Sequence, residues 1–270
     1  MLALLLATLL AVPAQDAPAP SAPVAAAPDA AALLKEYEAL ADEYTTAENA
    51  FWSSLPQDAT GAITASEEEM AKRPELTWGP RFLELGRRAG ATEAGCKALA
   101  MAMRMTEKPE AVDEILELLT GTFIDSPSLA GVLQQIGWMR YQRGTAFVAA
   151  TLRGVREHTK NPEVKAAATF RLAEVLMEPP LEMTQMGEHR MPMSRGTADL
   201  AQARTLLTEV RDQFKDSSYA KQAAGCLFEL DHLQVGMVAP DVEAKDQDGA
   251  SFKLSDYRGK VVLLDFWGFW

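Results

Sequence analysis

The sequence is poor in thiols, in basic charge and in aromatic rings. Its 270 residues include two cysteines, Cys96 and Cys226, which excludes a disulfide-dense scaffold and a four-thiolate zinc site. The 26 basic side chains are outnumbered by 38 acidic ones, for a formal net charge of −12, so binding to nucleic acid or to an anionic membrane surface is not expected. Aromatic residues make up only 7% of the chain, but 48% of the residues are hydrophobic, which is enough for a globular core.

Long apolar runs are missing too, apart from one at the N-terminus. Residues 2–12, LALLLATLLAV, are too few to cross a bilayer as a helix, and Val12-Pro13-Ala14 supplies the small residues that a signal peptidase recognises. We therefore predict a signal peptide over residues 1–14, although it lacks a basic segment, and a periplasmic or secreted protein with no membrane span after cleavage. The alternative is an apolar N-terminal helix that stays in the cytoplasm. Residues 15–29 are almost wholly Ala and Pro and predict an extended linker.

The region 30–232 has the periodicity of helices. Apolar residues recur at spacings of three and four, and Pro and Gly fall between the periodic segments. The pattern predicts an all-helical region built from units of helix, short turn and helix. The predicted helices lie near residues 30–52, 80–89, 92–106, 110–121, 128–138, 141–158, 163–178, 198–215 and 218–233.

The last two predicted helices carry the clearest pattern. Each has one apolar face, and Asp216 or Ser217 is expected to cap the second helix. The stretch ARTLLTEVRDQFKDSSYAKQAAGCLFEL resembles a tetratricopeptide-type repeat, and NPEVKAAATFRLAEVLM resembles the second half of that unit. A divergent helical-repeat array of this kind implies a protein or peptide ligand, or a spacer role. The predicted core positions are Leu200, Ala203, Leu206, Leu207, Val210, Phe214, Tyr219, Ala223, Cys226, Leu227 and Leu230.

The cysteines and two of the three histidines of this region need no catalytic role. Cys96 and Cys226 each lie on an apolar helix face, which predicts buried free thiols. A disulfide between them is the alternative, since an exported protein permits one where the geometry allows it. His158 and His232 lie near predicted helix ends, where the helix dipole favours a cation.

Methionines gather in one stretch of the helical region. The sequence there is PPLEMTQMGEHRMPMSRGT, and with Met177 just before it this stretch holds five of the chain's 12 methionines. Soft thioethers around His189 suggest ligands for copper(I). We interpret the stretch instead as a mobile surface loop that packs methionines onto a neighbouring helix, because their spacing is irregular and no cysteine joins them. No metal site is therefore predicted. The other four methionines are Met183, Met186, Met191 and Met193.

After His232 the pattern changes from helical to extended. Asp248-Gly249 is typical of a hairpin turn, and residues 260–267 form a nearly continuous apolar run of β type. Such a run predicts a strand that is buried on both faces, with helices and further strands around it.

Three elements of this C-terminal segment, taken together, resemble a known family. They are Val235-Gly236-x-x-Ala239-Pro240-Asp241, then Asp248-Gly249, then LSDYRGKVVLLDFW from Leu254. In order and spacing they resemble the opening of a redoxin, the part of the thioredoxin-like superfamily that includes exported thiol-disulfide reductases of the TlpA and ResA type and the AhpC/TSA antioxidant proteins. The resemblance implies that residues 233–270 are the N-terminal part of a thioredoxin-like α/β domain. The expected fold class is therefore mainly α, a helical-repeat, α-solenoid-like region followed by the first β-elements of an incomplete redoxin domain.

The resemblance also implies where the chemistry lies. In reductases of this type the strand ends in Phe-Trp-x-x-Trp, which a Cys-x-x-Cys motif follows at once. Here the matching lead-in is Phe266, Trp267, Gly268, Phe269 and Trp270, so the first catalytic cysteine is expected at position 271. The 270-residue chain then has no catalytic residue and is predicted to be inactive. The family activity is thiol-disulfide exchange with a protein disulfide or a thioredoxin-like partner, without a cofactor, and Trp270 favours it over the peroxide reduction of the antioxidant proteins.

Two explanations are open for the expected truncation. A contig edge or a frameshift is favoured, and a TGA codon that encodes selenocysteine at position 271 is the alternative. The nucleotides after codon 270 distinguish the two. A different class of function is also open: the helical region acts as a non-enzymatic, protein-binding adaptor, and the redoxin segment is a relic.

Overall fold

The computed structural model describes residues 29–106, 108–186 and 189–265. The described chain is mostly helical and carries two small antiparallel sheets of two strands each, in agreement with the predicted mainly α fold class. The predicted signal peptide lies outside the described residues, as does the linker except for its last residue, Asp29. Among the described residues, no helix is both long and apolar enough to span a membrane.

The elements follow the chain in a simple order, helices first. The helices before the first sheet are α1 (Ala30–Ser54), α2 (Glu67–Met70), α3 (Glu75–Ala89), α4 (Glu93–Met105), α5 (Pro109–Thr120), α6 (Leu129–Trp138), α7 (Arg140–Arg143), α8 (Thr145–His158) and α9 (Pro162–Leu176). Strands β1 (Leu181–Met186) and β2 (His189–Ser194) precede α10 (Leu200–Gln213) and α11 (Ser218–His232). Strands β3 (Glu243–Lys245) and β4 (Ser251–Lys253) and a 3₁₀ turn (Leu254–Tyr257) follow.

Several helix starts are fixed by side chains that accept hydrogen bonds from free backbone N–H groups. Ser217 caps α11 by accepting from the backbone N–H of Tyr219 at 3.2 Å, which decides between the two predicted caps. At the start of α9, Asn161 accepts from the N–H groups of Glu163 and Val164, at 2.9 Å and 3.2 Å. These local signals are visible in the sequence, and both helix starts lie within one residue of their predicted positions.

One apolar core runs through the helical body, from Leu33 in α1 to Leu230 in α11. Helices adjacent in sequence pack together: α3 on α4, α8 on α9, α9 on α10, and α10 on α11. Helix α9 is the centre of this arrangement, because it also contacts α6. Its Phe170 is 1% exposed and packs against Tyr219 of α11, with ring centroids 5.6 Å apart. The core therefore depends on α9 more than on any peripheral helix.

The predicted helix over 141–158 is wrong at its start, because Gly144 divides it. Helix α7 ends at Arg143, and Gly144 has φ +84°, a left-handed conformation that only glycine adopts at no steric cost. Its position is also crowded, since a β-carbon there would lie 3.1 Å from the carbonyl oxygen of Leu181 in β1. The break thus brings the end of α7 and the start of α8 against the first sheet.

The predicted helix over 80–89 begins earlier, at Glu75, so that Pro80 lies inside α3. Proline has no N–H to donate, which costs a helix interior about 3 kcal/mol or more. Burial of the first turns against α4 offsets this cost. Gly79 in particular is so close to α4 that a β-carbon there would lie 3.1 Å from Cβ of Met105.

Most of the predicted core of α10 and α11 is confirmed. Leu200 is the exception, because it is the first residue of α10 and is 40% exposed. Phe214 and Cys226 are half-buried and pack against the core. The other predicted positions are buried, namely Ala203, Leu206, Leu207, Val210, Tyr219, Ala223, Leu227 and Leu230.

The methionine-rich stretch is a β-hairpin, which corrects its prediction as a loop. Strands β1 and β2 pair antiparallel from Leu181 opposite Ser194 to Met186 opposite His189, with the connecting residues 187–188 outside the described range. The N–H of Leu181 donates to Oγ1 of Thr145 at 2.8 Å, which fixes the hairpin to α8. The stretch has almost no β-branched residues, so its strands arise from pairing and docking that the sequence pattern does not show.

Candidate functional site

The C-terminal segment, residues 233–265 of the described chain, contains a short hairpin. Strands β3 and β4 pair antiparallel, with Ala244 opposite Phe252. In the turn, the carboxylate of Asp246 accepts from the N–H of Asp248 at 3.0 Å and from that of Ala250 at 2.8 Å. Gly249 has φ +84°, the conformation for which this turn needs glycine. The hairpin predicted at Asp248-Gly249 is therefore confirmed.

Two of the three motifs in this segment are joined directly by hydrogen bonds. The carboxylate of Asp241, in Ala-Pro-Asp, accepts from the backbone N–H of Ser255 at 2.8 Å and from its hydroxyl at 2.7 Å. These bonds stabilise the ionised form and lower the pKa of Asp241 below its usual value. The backbone N–H of Leu254 also donates to the carbonyl of Val242 at 2.9 Å. The 14-residue separation between Asp241 and Ser255 thus spans the whole β3–β4 hairpin, whose two ends these hydrogen bonds join.

The 3₁₀ turn after β4 is held by its own contacts. The carboxylate of Asp256 accepts from the backbone N–H of Lys253 at 2.9 Å, and the ammonium of Lys253 pairs with Glu243 on the opposite strand. The ring of Tyr257 meets that of Phe252 edge to face, with centroids 6.5 Å apart. All these groups are exposed and arrange the backbone, and none of them is placed as a nucleophile or a general base.

The strand predicted over residues 260–267 is not observed in its described part. Residues 261–265 form no ladder, and Val261 and Leu263 are almost fully exposed. The reason is the lack of a partner: a strand needs a neighbour for its N–H and C=O groups, and β3 and β4 pair only with each other. The predicted lead-in Phe266, Trp267, Gly268, Phe269 and Trp270 lies outside the described residues.

Comparison with known proteins identifies this segment. Residues 235–270 match the AhpC/TSA family. The thiol-disulfide oxidoreductase ResA of Geobacillus thermodenitrificans (strain NG80-2) is 53% identical over 38 residues, and that of Geobacillus kaustophilus (strain HTA426) is 56% identical over 38 residues. Each match covers 14% of this chain and 22% of the relative, so the chain spans about a fifth of the length of these curated relatives. No solved structure matches the chain.

The C-terminal segment is thus thioredoxin-like, AhpC/TSA-type sequence, as its motifs predicted. The Asp241–Ser255 contact gives those motifs a structural role that sequence analysis missed. The signal was present, since Asp241 ends the first motif and Ser255 is the second residue of the third motif, but their hydrogen bond depends on the register of the hairpin between them. The predicted resemblance of the helical body to tetratricopeptide repeats is not supported by a match and stays a prediction.

The two thiols lie in the helical body, outside the AhpC/TSA segment. Both are free, as predicted, but only Cys96 is fully buried, and Cys226 is half-buried. Burial without a charge partner raises the pKa of Cys96 to about 12. Burial also raises the pKa of Cys226, and the nearby carboxylates of Glu174 and Glu229 add to the increase. Neither thiol has the lowered pKa that a redox nucleophile needs at neutral pH.

The other side chains that were considered for chemistry have structural contacts. Nδ1 of His158 lies 2.8 Å from the carbonyl oxygen of Gly154 in its own helix, and the ring of His232 lies on that of Phe228, with centroids 4.7 Å apart. Among the described residues, no group of three or more His, Cys, Asp or Glu side chains has the arrangement of a metal site.

The reactivity of the two thiols tests whether Cys96 is buried and Cys226 is partly exposed. At pH 7.5 we expect Cys226 to react with an aromatic disulfide reagent and Cys96 to react at least about 100-fold more slowly, because the thiolate is the reacting form and Cys96 is buried as a thiol. The measurement is the absorbance of the released thiolate over time. The variant Cys226→Ala should remove the fast phase, and guanidinium chloride should make both thiols react at once. Equal rates for the two thiols in the folded chain would contradict the buried position of Cys96.

Proposed function

We propose that this chain belongs to an exported thioredoxin-like thiol-disulfide oxidoreductase. Residues 235–270 open its redox domain, and the helical body, residues 30–232, is an N-terminal extension with repeat-like helices. The observation that carries the proposal is the match to the two ResA oxidoreductases over 38 residues. The joined motifs at Asp241 and Ser255 support it, because they fold this segment as one unit.

The proposed chemistry needs two cysteines of a kind that the helical body does not supply. A thiolate of low pKa attacks a sulfur of the target disulfide, which forms a mixed disulfide and releases one target thiolate. A second cysteine then attacks the mixed disulfide, which releases the other target thiol and leaves the enzyme oxidised. Cys96 and Cys226 have raised pKa values and occupy different helices, α4 and α11. We propose that the reactive pair follows Trp270 in the full protein.

A chimera tests this proposal. Residues 1–270 are joined to the part of the Geobacillus kaustophilus ResA that follows its matched segment, and insulin reduction is measured with dithiothreitol as reductant. We expect the chimera to accelerate insulin precipitation several-fold over dithiothreitol alone, and the 270-residue chain to give no acceleration. The matched control replaces Cys96 and Cys226 by alanine in the chimera and should keep its activity.

Two results would overturn the proposal. The first is a folded chimera without activity, which means that residues 235–270 cannot serve as the opening of this domain. The second is activity in the 270-residue chain that is lost on Cys226→Ala, which places the chemistry in the helical body. Export depends on residues 1–14, outside the described range, and stays part of the proposal. The adaptor alternative also stays a prediction, because nothing in the described residues identifies a ligand of the helices.

A further inference from the structure

The β1–β2 hairpin brings soft metal ligands together on one face. Its register places Met186 opposite His189, and Met191 opposite Thr184. Residues directly opposite each other lie on one face of a sheet, as do residues two apart along a strand. Met186, His189, Met191 and Met193 therefore share a face. Their irregular spacing in the sequence becomes regular once the strands are paired, because antiparallel pairing places Met186 opposite His189 and Met193 opposite Glu182.

This shared face is directed away from the helical body. The hairpin contacts α7 and α8 through its other face, where a β-carbon at Gly144 would lie 3.8 Å from Cγ of Met183. On the shared face, Met186 and Met191 are each 51% exposed, and His189 is exposed as well. Thioethers exposed to this degree add little to the core. Met177 does not belong to this exposed group, because it packs against the helical core.

Three of these side chains are close enough to meet at one ion. Directly opposite residues such as Met186 and His189 have β-carbons about 4.5–5.5 Å apart, and diagonal residues such as Met186 and Met191 about 7–8 Å. His189 and Met191, two apart on β2, are separated by about 7 Å. A methionine side chain has three rotatable bonds, so rotation about them can bring both sulfurs toward one point beside the imidazole. Met193 lies two residues after Met191 in β2 and on the same face.

The chemistry of this donor set favours one kind of ion. Thioether sulfur is a soft ligand that selects copper(I), and imidazole also binds copper well. Calcium and magnesium need oxygen ligands, and structural zinc sites use thiolates and imidazoles, neither of which this face provides in sufficient number. The ligands carry no negative charge, which suits a monovalent cation better than a divalent one.

We propose that Met186, His189 and Met191 bind one copper(I) ion on the outward face of the β1–β2 hairpin, with Met193 as the neighbouring thioether. The site is independent of the proposed oxidoreductase activity, because it lies on the helical body and its donors are not thiols. Binding involves no electron transfer, so it needs copper(I) itself and no further reagent.

The test is anaerobic titration of the 270-residue chain with copper(I) in competition with bicinchoninate, which reports copper transfer by its colour. The background carries Cys96→Ala and Cys226→Ala, so that thiols cannot bind the metal. We expect one copper(I) ion per chain. Met186→Leu, Met191→Leu and His189→Gln should each weaken binding at least tenfold, and X-ray absorption of the loaded chain should show both sulfur and nitrogen ligands.

Two matched controls use the same conservative change. Met183→Leu alters the inward face of the same hairpin, and Met237→Leu alters a methionine outside the hairpin that is 46% exposed. Both should bind copper(I) as tightly as the background. The proposal fails if the chain does not compete with bicinchoninate, or if the controls lose as much affinity as the ligand variants. Far-ultraviolet circular dichroism of every variant should be unchanged, since the three ligands are exposed, and a variant that unfolds is replaced by Ala at the same position.

Discussion

Phe170→Ala is expected to lower the free energy of unfolding by about 3–5 kcal/mol, the usual cost of removing a fully buried phenylalanine ring. Phe170 is 1% exposed at the centre of α9, the helix that contacts α6, α8, α10 and α11. Its loss removes apolar contacts and leaves a cavity between α9 and α11, where the ring meets Tyr219. Urea unfolding followed by circular dichroism measures the change.

Phe228→Ala is the matched control for Phe170. Phe228 lies on α11, is 49% exposed and packs on His232, so its truncation should cost less than about 1 kcal/mol. A similar loss for both variants would contradict the central position of α9. A change in the slope of the urea transition, rather than in its midpoint, would indicate instead that unfolding is no longer two-state or that the compactness of the native or unfolded state has changed.

Gly95→Ala should also be strongly destabilising, although alanine normally favours a helix. A β-carbon on Gly95 in α4 would lie 2.5 Å from the carbonyl oxygen of Gly90 and 3.0 Å from Cζ of Phe123. The carbonyl cannot move easily, because it accepts from the N–H of Thr92 at 2.8 Å. We expect a net loss of about 1–3 kcal/mol, typical of an overpacked core, measured as a lower midpoint of urea unfolding.

A second glycine, Gly225, is the control for the expected fall in the free energy of unfolding. Gly225 lies on an exposed part of α11, and outside its chain neighbours and the backbone of its own helix no atom lies within 4 Å of a β-carbon placed there. Gly225→Ala should therefore raise the free energy of unfolding by up to about 1 kcal/mol, the ordinary helix preference for alanine. If Gly95→Ala were equally stabilising, the close contact of α4 with the α3–α4 turn would be wrong.

Sequence predicted those features of the fold that depend on neighbouring residues. The helices over 30–52 and 163–178, a cap at Asp216 or Ser217 and the turn at Asp248-Gly249 follow from periodicity and from local hydrogen bonding, and the structure places the cap at Ser217. The break at Gly144 was missed, because an isolated glycine in an apolar periodic segment does not reveal the sheet that packs against it.

Features that depend on distant residues were not predicted. The methionine hairpin has no strong strand pattern and forms through pairing and contact with α7 and α8. The apolar residues 260–265 have a strong strand pattern and form no strand, because strand formation depends on a neighbour. The candidate site followed the same rule: its family motifs were visible in the sequence, whereas the Asp241–Ser255 contact required the hairpin register.

The hydrogen bonds of the C-terminal segment make its described residues independent of the helical body. Within the described part of the chain, every hydrogen bond that residues 237–265 make has its partner in 234–265, and the joint after α11 is exposed at Val235 and Val238. Because the described residues 237–265 make no hydrogen bond to the helical body, exchanging the region before this joint would break none of the hydrogen bonds of these residues. A helical body of another length, joined before Val235, is therefore compatible with the β3–β4 register and with the hydrogen bonds that hold Asp241 to Ser255.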